Sequence, residues 1–156
     1  EFESGSMKFI LISIVMISLL VVAFGAPFSK VVTANNSKEL KKELEGGNDN
    51  LYIVNFYMPG DKHEDVKKDL EEKIGGNSRY KDLVNYIEIN AARTYQYKDV
   101  LTDVGIYNKA SNQYPYVLVS KKGDGYLFRG KDIGEGVLGK ITNVIEGRVD
   151  YSSIRY

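Results

Sequence analysis

The alternation of helix-period and strand-like segments after Asn36 constrains this chain most, because it admits only an α/β architecture. Asn36-x-x-Glu39 can cap a helix with Leu40 and Leu44 on one face, stopped by Gly46-Gly47. Leu51 to Tyr57 is a dense apolar run, read as a buried strand. Asp61 to Ile74 carries Val66, Leu70 and Ile74 at a spacing of four, which predicts a helix ended by Gly75-Gly76. Leu83 to Ile89 reads as a further strand, and Tyr97 to Val104 as a helix with Val100, Leu101 and Val104 inward. Tyr116 to Ser120 and Tyr126 to Phe128 flank Lys122-Gly123-Asp124-Gly125, a hairpin signal. Val137, Leu138, Ile141, Val144 and Ile145 form the stripe of a last helix. The order is therefore α-β-α-β-α-β-β-α.

Composition narrows the function classes. Of 156 residues, roughly 120 remain once the apolar N-terminal segment is set apart, enough for one domain with a single core. Lys and Arg number 21 and so do Asp and Glu, so the net charge is zero, and no basic face or tail points to nucleic acid. The chain has no cysteine, which excludes a disulfide framework and any cysteine-ligated metal. Twelve tyrosines against six phenylalanines and no tryptophan leave many amphipathic aromatics, some of them expected at a contact surface.

Residues 1–6 read as a vector-derived remnant or linker ahead of Met7-Lys8. From Phe9 to Phe28 no charge interrupts the sequence. About 20 helical residues at 1.5 Å each just cross a bilayer core of roughly 30 Å. The densest stretch ends near Phe24, closer to a signal-peptide core, and Ala23-Phe24-Gly25 offers small residues for cleavage. Residues 7–28 are thus a signal peptide or a transmembrane anchor, and the reading leans to the anchor. Residues 29–36 form a polar connector in which Asn35-Asn36-Ser37 is a glycosylation sequon, relevant only on a secretory lumenal side. Residues 148–156 are a mixed polar tail, by default solvated, with docking on a partner as the alternative.

Tyr57-Met-Pro-Gly-Asp-Lys-His-Glu-Asp-Val66, entered from the strand run and opening a helix-period stretch, resembles the Phe-Tyr-Ala-Pro-Trp-Cys-Gly-His-Cys signature of the protein disulfide isomerase branch of the thioredoxin superfamily. Phe56, Tyr57, Pro59 and His63 match it. Asp61 and Glu64 stand in place of the two cysteines, and Gly60 in place of the tryptophan. The resemblance covers about Ser37 to Glu146 and implies a thioredoxin-like fold over 37–147, a central mixed sheet flanked by helices, with an N-terminal hydrophobic helix. Without a thiolate there is no thiol–disulfide exchange. The family's buried proton-shuttling carboxylate is replaced by the neutral Asn55, and its valine–aspartate pair by Ile89-Asn90.

Gly60, Asp61, Lys62, His63 and Glu64 therefore read as a vestigial active-site loop. Asp61-x-x-Glu64 also fits a capping box, the Asp61 carboxylate accepting from the third amide and Glu64 reaching back, worth roughly 1 kcal/mol. A metal or acid–base site built from Asp61, His63, Glu64 and Asp65 is the sharper reading. It fares worse because His63 is the chain's one histidine and no second group is evidently arranged to orient it. No metal, cofactor or catalytic residue is expected. Tyr114-Pro115-Tyr116 resembles the family's Tyr-Pro-Thr, whose cis proline lies against the active-site loop. The resemblance implies either a retained turn or a peptide-docking edge made by Gly60, Tyr114, Pro115 and Tyr116, since backbone pairing needs no thiol. Gly130 to Gly139 lacks the spacing of a phosphate loop and reads as the loop leading into the last helix.

Two functional expectations follow. The first is a redox-inactive, non-enzymatic accessory subunit or protein-interaction module. It is tethered through residues 9–28 and has protein partners in a membrane complex, with no small-molecule substrate. The second is a lumenal, non-catalytic isomerase-like peptide-binding module, glycosylated at Asn35. A membrane of the secretory pathway or endoplasmic reticulum fits the Met7-Lys8 start. A mitochondrial inner membrane fits if Glu1 is an end left by presequence removal. The C-terminal Ser-Ile-Arg-Tyr is not a retention signal of the Lys-Asp-Glu-Leu type.

Overall fold

The computed structural model describes residues 27–47, 49–150 and 154–155. The expectations for residues 1–6 and for the apolar helix up to residue 26 lie outside them. Among the described residues no helix is long and apolar enough to cross a membrane.

Helix α1 (Ser37–Glu45) leads to β1 (Leu51–Tyr57), then α2 (His63–Leu70), which continues as one wider π-turn (Glu71–Gly75). β2 (Val84–Asn90), α3 (Thr94–Asp103), a 3-10 turn (Ser111–Gln113), β3 (Tyr116–Lys121), β4 (Asp124–Arg129) and α4 (Ile133–Ile145) follow. A two-residue β5 (Ile154–Arg155) ends the order. The sheet runs β2-β1-β3-β4-β5, with β1 and β2 parallel and the other pairs antiparallel. This is a mixed sheet with helices on both faces. The Lys122-Gly123 turn of the β3–β4 hairpin has φ 52° and 81°, the double positive φ of a type I′ turn.

The alternation of side chains along each strand divides the core in two. Tyr52, Val54, Phe56, Ile87 and Leu118 pack with Leu40 and Leu44 of α1 and Val100 and Leu101 of α3. Leu51, Ile53, Val84, Val117 and Val119 pack with Leu70 of α2, Ile74 of the π-turn, and Val137, Ile141 and Val144 of α4. These last five inward positions are the stripes that the spacing predicts.

Four expectations change. Helix α2 starts at His63 rather than Asp61, because a turn occupies 58–61. Phe28, assigned to the hydrophobic segment, belongs to the domain: it is buried and stacks on Tyr86 at 4.6 Å between centroids. The connector is not free either. The Lys30 carbonyl accepts from Tyr86 N–H and Val32 N–H donates to the Tyr86 carbonyl, both at 2.9 Å, so Val31 bridges β2 in parallel. The tail returns to the sheet, Ile154 and Arg155 pairing with Gly125 and Asp124.

Candidate functional site

The parallel strands β1 and β2 end side by side, Tyr57 opposite Asn90, and the loop after β1 crosses this end of the sheet. Met58-Pro59-Gly60-Asp61 is a type II turn: Asp61 N–H donates to the Met58 carbonyl at 3.1 Å, proline fills the second position, and Gly60 has φ 88°. Only glycine takes that third position without cost, which accounts for Gly60.

Asp61 then turns its carboxylate inward. One oxygen accepts from Met58 N–H at 2.8 Å, the other from His63 N–H at 2.9 Å, and His63 Nδ1 lies 2.6 Å from the latter. The side chain is 7% exposed. The capping box is therefore not formed. The carboxylate serves the first helical amide rather than the third, and Glu64 does not reach back; its Oε1 lies 3.3 Å from His63 Nε2. The His63 ring also stacks on Tyr57 at 4.1 Å, 19° from parallel. Sequence reasoning found no group to orient His63, and the structure supplies Asp61. The signal was Asp-x-His itself, in which a carboxylate two residues before a helical histidine can reach Nδ1.

Behind the loop, Asn55 is wholly buried. Its Nδ2 donates to the His63 carbonyl at 3.3 Å and to the Tyr86 hydroxyl at 3.1 Å, and that hydroxyl donates to Glu88 at 3.0 Å. Lys67 Nζ pairs with Glu88 at 3.3 Å. Burial pushes the Tyr86 phenol far above its ordinary value, so it acts as a neutral donor. Asn55 Oδ1 has no partner. The amide's two donor bonds fix its orientation, and the acceptor is the atom left over.

The Tyr114–Pro115 peptide is cis, as the resemblance implies. Pro115 and Tyr114 border the turn, but Tyr114 points its hydroxyl inward to the Ile106 carbonyl at 2.9 Å, and burial pushes this phenol up to about 12. Tyr114 N–H donates to the Ser111 carbonyl at 3.2 Å, an internal bond at the position expected to pair with a peptide. Tyr116 is buried, its hydroxyl on Gln113 at 3.2 Å, and is not part of the edge.

The 58–62 turn, the 111–115 loop and the 130–133 loop enclose an open groove of about 690 Å³. Met58, Pro59, Val66, Pro115 and Ile133 give it apolar walls, and Asp65 and Asp132 stand at it. His63 does not line it. Both His63 ring nitrogens face carboxylates, so the ring is a fastening of the loop and is not presented to a groove occupant. Among the described residues no three His, Asp or Glu side chains converge as a metal would require. The Gly130 loop enters α4 as expected. Asp69 of α2 accepts from Gly134 N–H at 3.0 Å, supplying the cap that Asp132 does not, and pairs with Lys73.

Asn35 of the sequon is exposed, but its N–H and Nδ2 both donate to Glu39, at 2.8 and 3.0 Å. Those bonds, the backbone one first, hold the Glu39 carboxyl below its ordinary value.

No family model matches the chain, and no curated protein matches it in sequence. Solved structures do. A thioredoxin from Malassezia sympodialis has TM-score 0.55 at 17% identity, over 77% of this chain and 94% of that one. A thioredoxin from Trypanosoma brucei brucei has TM-score 0.54 at 12% identity, over 78% and 96%. A mutant thioredoxin from Halobacterium salinarum NRC-1 has TM-score 0.53 at 11% identity, over 77% and 95%. The fold is thioredoxin-like; at these identities the likeness carries nothing more.

Proposed function

We propose that this chain is a redox-inactive thioredoxin-like interaction module, held at a membrane as a structural or accessory subunit of a larger complex. The observation that carries the reading is the groove of about 690 Å³, walled by a loop whose Asp61 and His63 side chains are turned inward, in a chain with no cysteine. A groove with apolar walls, a polar rim and no thiol suits the binding of another polypeptide. Descent from the isomerase branch, with Asp61 and Glu64 replacing its cysteines, rests on the Phe56 to Glu64 signature. The tether rests on the uncharged run 9–28, and a secretory membrane is preferred over a mitochondrial inner membrane. The module has no enzymatic activity, cofactor or metal, and its partners are proteins.

The test is mass spectrometry of the native protein isolated in mild detergent, reading its N-terminus and co-purifying chains together. An intact 9–28 segment with partners in fixed ratio supports a subunit. The second reading, a lumenal peptide-binding module, is favoured by the exposed sequon at Asn35 beside the groove-bearing fold. It requires a chain beginning near Ala26, a glycan on Asn35, and variable sub-stoichiometric clients. An insulin-reduction assay showing turnover would sink both.

A further inference from the structure

The chain's entry at residues 27–32 and the groove occupy opposite poles of the domain. Lys30 to Val32 runs parallel to β2, so the chain enters at the N-terminal end of β2, while the groove's 58–62 turn follows the C-terminal end of the parallel β1. Seven strand residues at about 3.3 Å each separate the two ends by roughly 20 Å. The entry is also short. The apolar stretch is densest up to Phe24, and Phe28 is already buried on Tyr86. Gly25-Ala26-Pro27 can span only about 10 Å.

Resting on the tether reading, we propose that the pole around residues 27–31 and 79–83 lies against the lipid surface, and that the groove opens away from it into water. A linker this short leaves the domain no freedom to turn over. The pole suits such a surface. Val31 and Leu83 are 67% and 48% exposed, and Lys30, Arg79 and Lys81 of the same segments are exposed with them, alongside Asp82. The entry is also pinned: Ser29 Oγ donates to the Lys81 carbonyl at 3.1 Å and Lys30 Nζ to the Asp82 carbonyl at 2.8 Å. It follows that the groove takes a water-exposed polypeptide segment, not a membrane-embedded helix.

The absence of cysteine makes the test direct. Leu83→Cys and Lys62→Cys, both at exposed positions, are introduced singly into the full chain and labelled with an environment-sensitive fluorophore. The proteins are reconstituted into phosphatidylcholine vesicles containing headgroup-nitroxide lipid. Far-ultraviolet circular dichroism confirms that each remains folded, and Val31→Cys substitutes for Leu83→Cys if that variant does not. Lipid quenching several-fold stronger at the pole than at Lys62 is the expected result. Equal quenching, or stronger quenching at Lys62, in protein that floats with the vesicles overturns the orientation and leaves the tether standing. Protein that fails to float removes the tether and the orientation with it.

Discussion

Replacing Asp61 by alanine tests whether its carboxylate is the fastening of the 58–63 loop. The change removes the acceptor of Met58 N–H and His63 N–H, at 2.8 and 2.9 Å, and the partner of His63 Nδ1. With the side chain 7% exposed, water does not freely take its place. Hydrogen bonds to a charged group contribute about 1.5–3 kcal/mol each, and loss of a helix-end acceptor alone costs about 1 kcal/mol. Allowing for water entering the relaxed loop, the expected loss is about 3 kcal/mol, or about 10 °C in melting temperature for a domain of this size. Glu64→Ala is the control. Its side chain is 65% exposed with one contact, to His63 Nε2, so its loss stays below about 0.5 kcal/mol. Asp61→Asn keeps one acceptor and falls between. Urea unfolding followed by circular dichroism reads all three. Equal losses for Asp61→Ala and Glu64→Ala would restore the capping box and refute the clamp, as would an Asp61→Ala loss under about 0.5 kcal/mol.

Three further outcomes are expected. Asn55→Asp places a carboxylate where nothing is exposed, facing the His63 carbonyl, and costs about 3 kcal/mol at neutral pH. Burial raises the new group's pKa, so the deficit against the parent shrinks as pH falls, and a deficit that grows on acidification counts against this account. Gly134→Ala drives a Cβ to 2.7 Å from Asp69 Cγ and displaces the carboxylate capping α4, so it loses about 1 kcal/mol although alanine favours helix. A higher urea midpoint would contradict it. Burial raises the Tyr86, Tyr97 and Tyr114 phenols in the folded state, so their contribution is intact below the unfolded value of about 10 and is lost as pH rises through the folded values, about 12 for Tyr114. Melting temperature should therefore fall increasingly steeply above pH 10, and less so in Tyr114→Phe; parallel curves would rule out that phenol.

Local signals were legible where one physical cause dominates. The bounds of β1 agree to the residue because an apolar run stops against Met58-Pro59. The Asn36 cap agrees because its oxygen does accept Glu39 N–H, at 3.0 Å, although Glu39 reaches back to Asn35 rather than to Asn36 N–H. The start of α2 was misread because two local motifs compete for Asp61. The Pro59-Gly60 turn draws its N–H to Met58 and its carboxylate to Met58 N–H, leaving the cap position to Lys62. Tertiary pairing was not legible. Lys30-Val31-Val32 is too short to signal a strand and lies on β2 only because that edge is open. The groove draws on three loops separated in sequence, so no window of residues contains it. Tyr114, Pro115 and Tyr116 were singled out together, yet the strand that follows buries Tyr116 and leaves the other two at the wall.

Asp61 and Asn55 have one property in common, and it bears on what the domain does. Asp61 holds the loop from the groove side through Met58 and His63, and Asn55 holds the same His63 from beneath through its carbonyl. Tyr57 adds a stacked ring above. The loop is thus closed on itself by Asp61 and tied to β1 at two points, through Asn55 and Tyr57. A loop that only connects two elements would need no such fastenings, since a solvated connection between β1 and α2 costs little to leave mobile. A fixed wall pays off in binding, where side-chain and loop ordering at an interface otherwise consume about 0.5–1.5 kcal/mol per immobilised group. The polar contacts of Asp61 and Asn55 therefore favour a preformed binding surface over a loose connection.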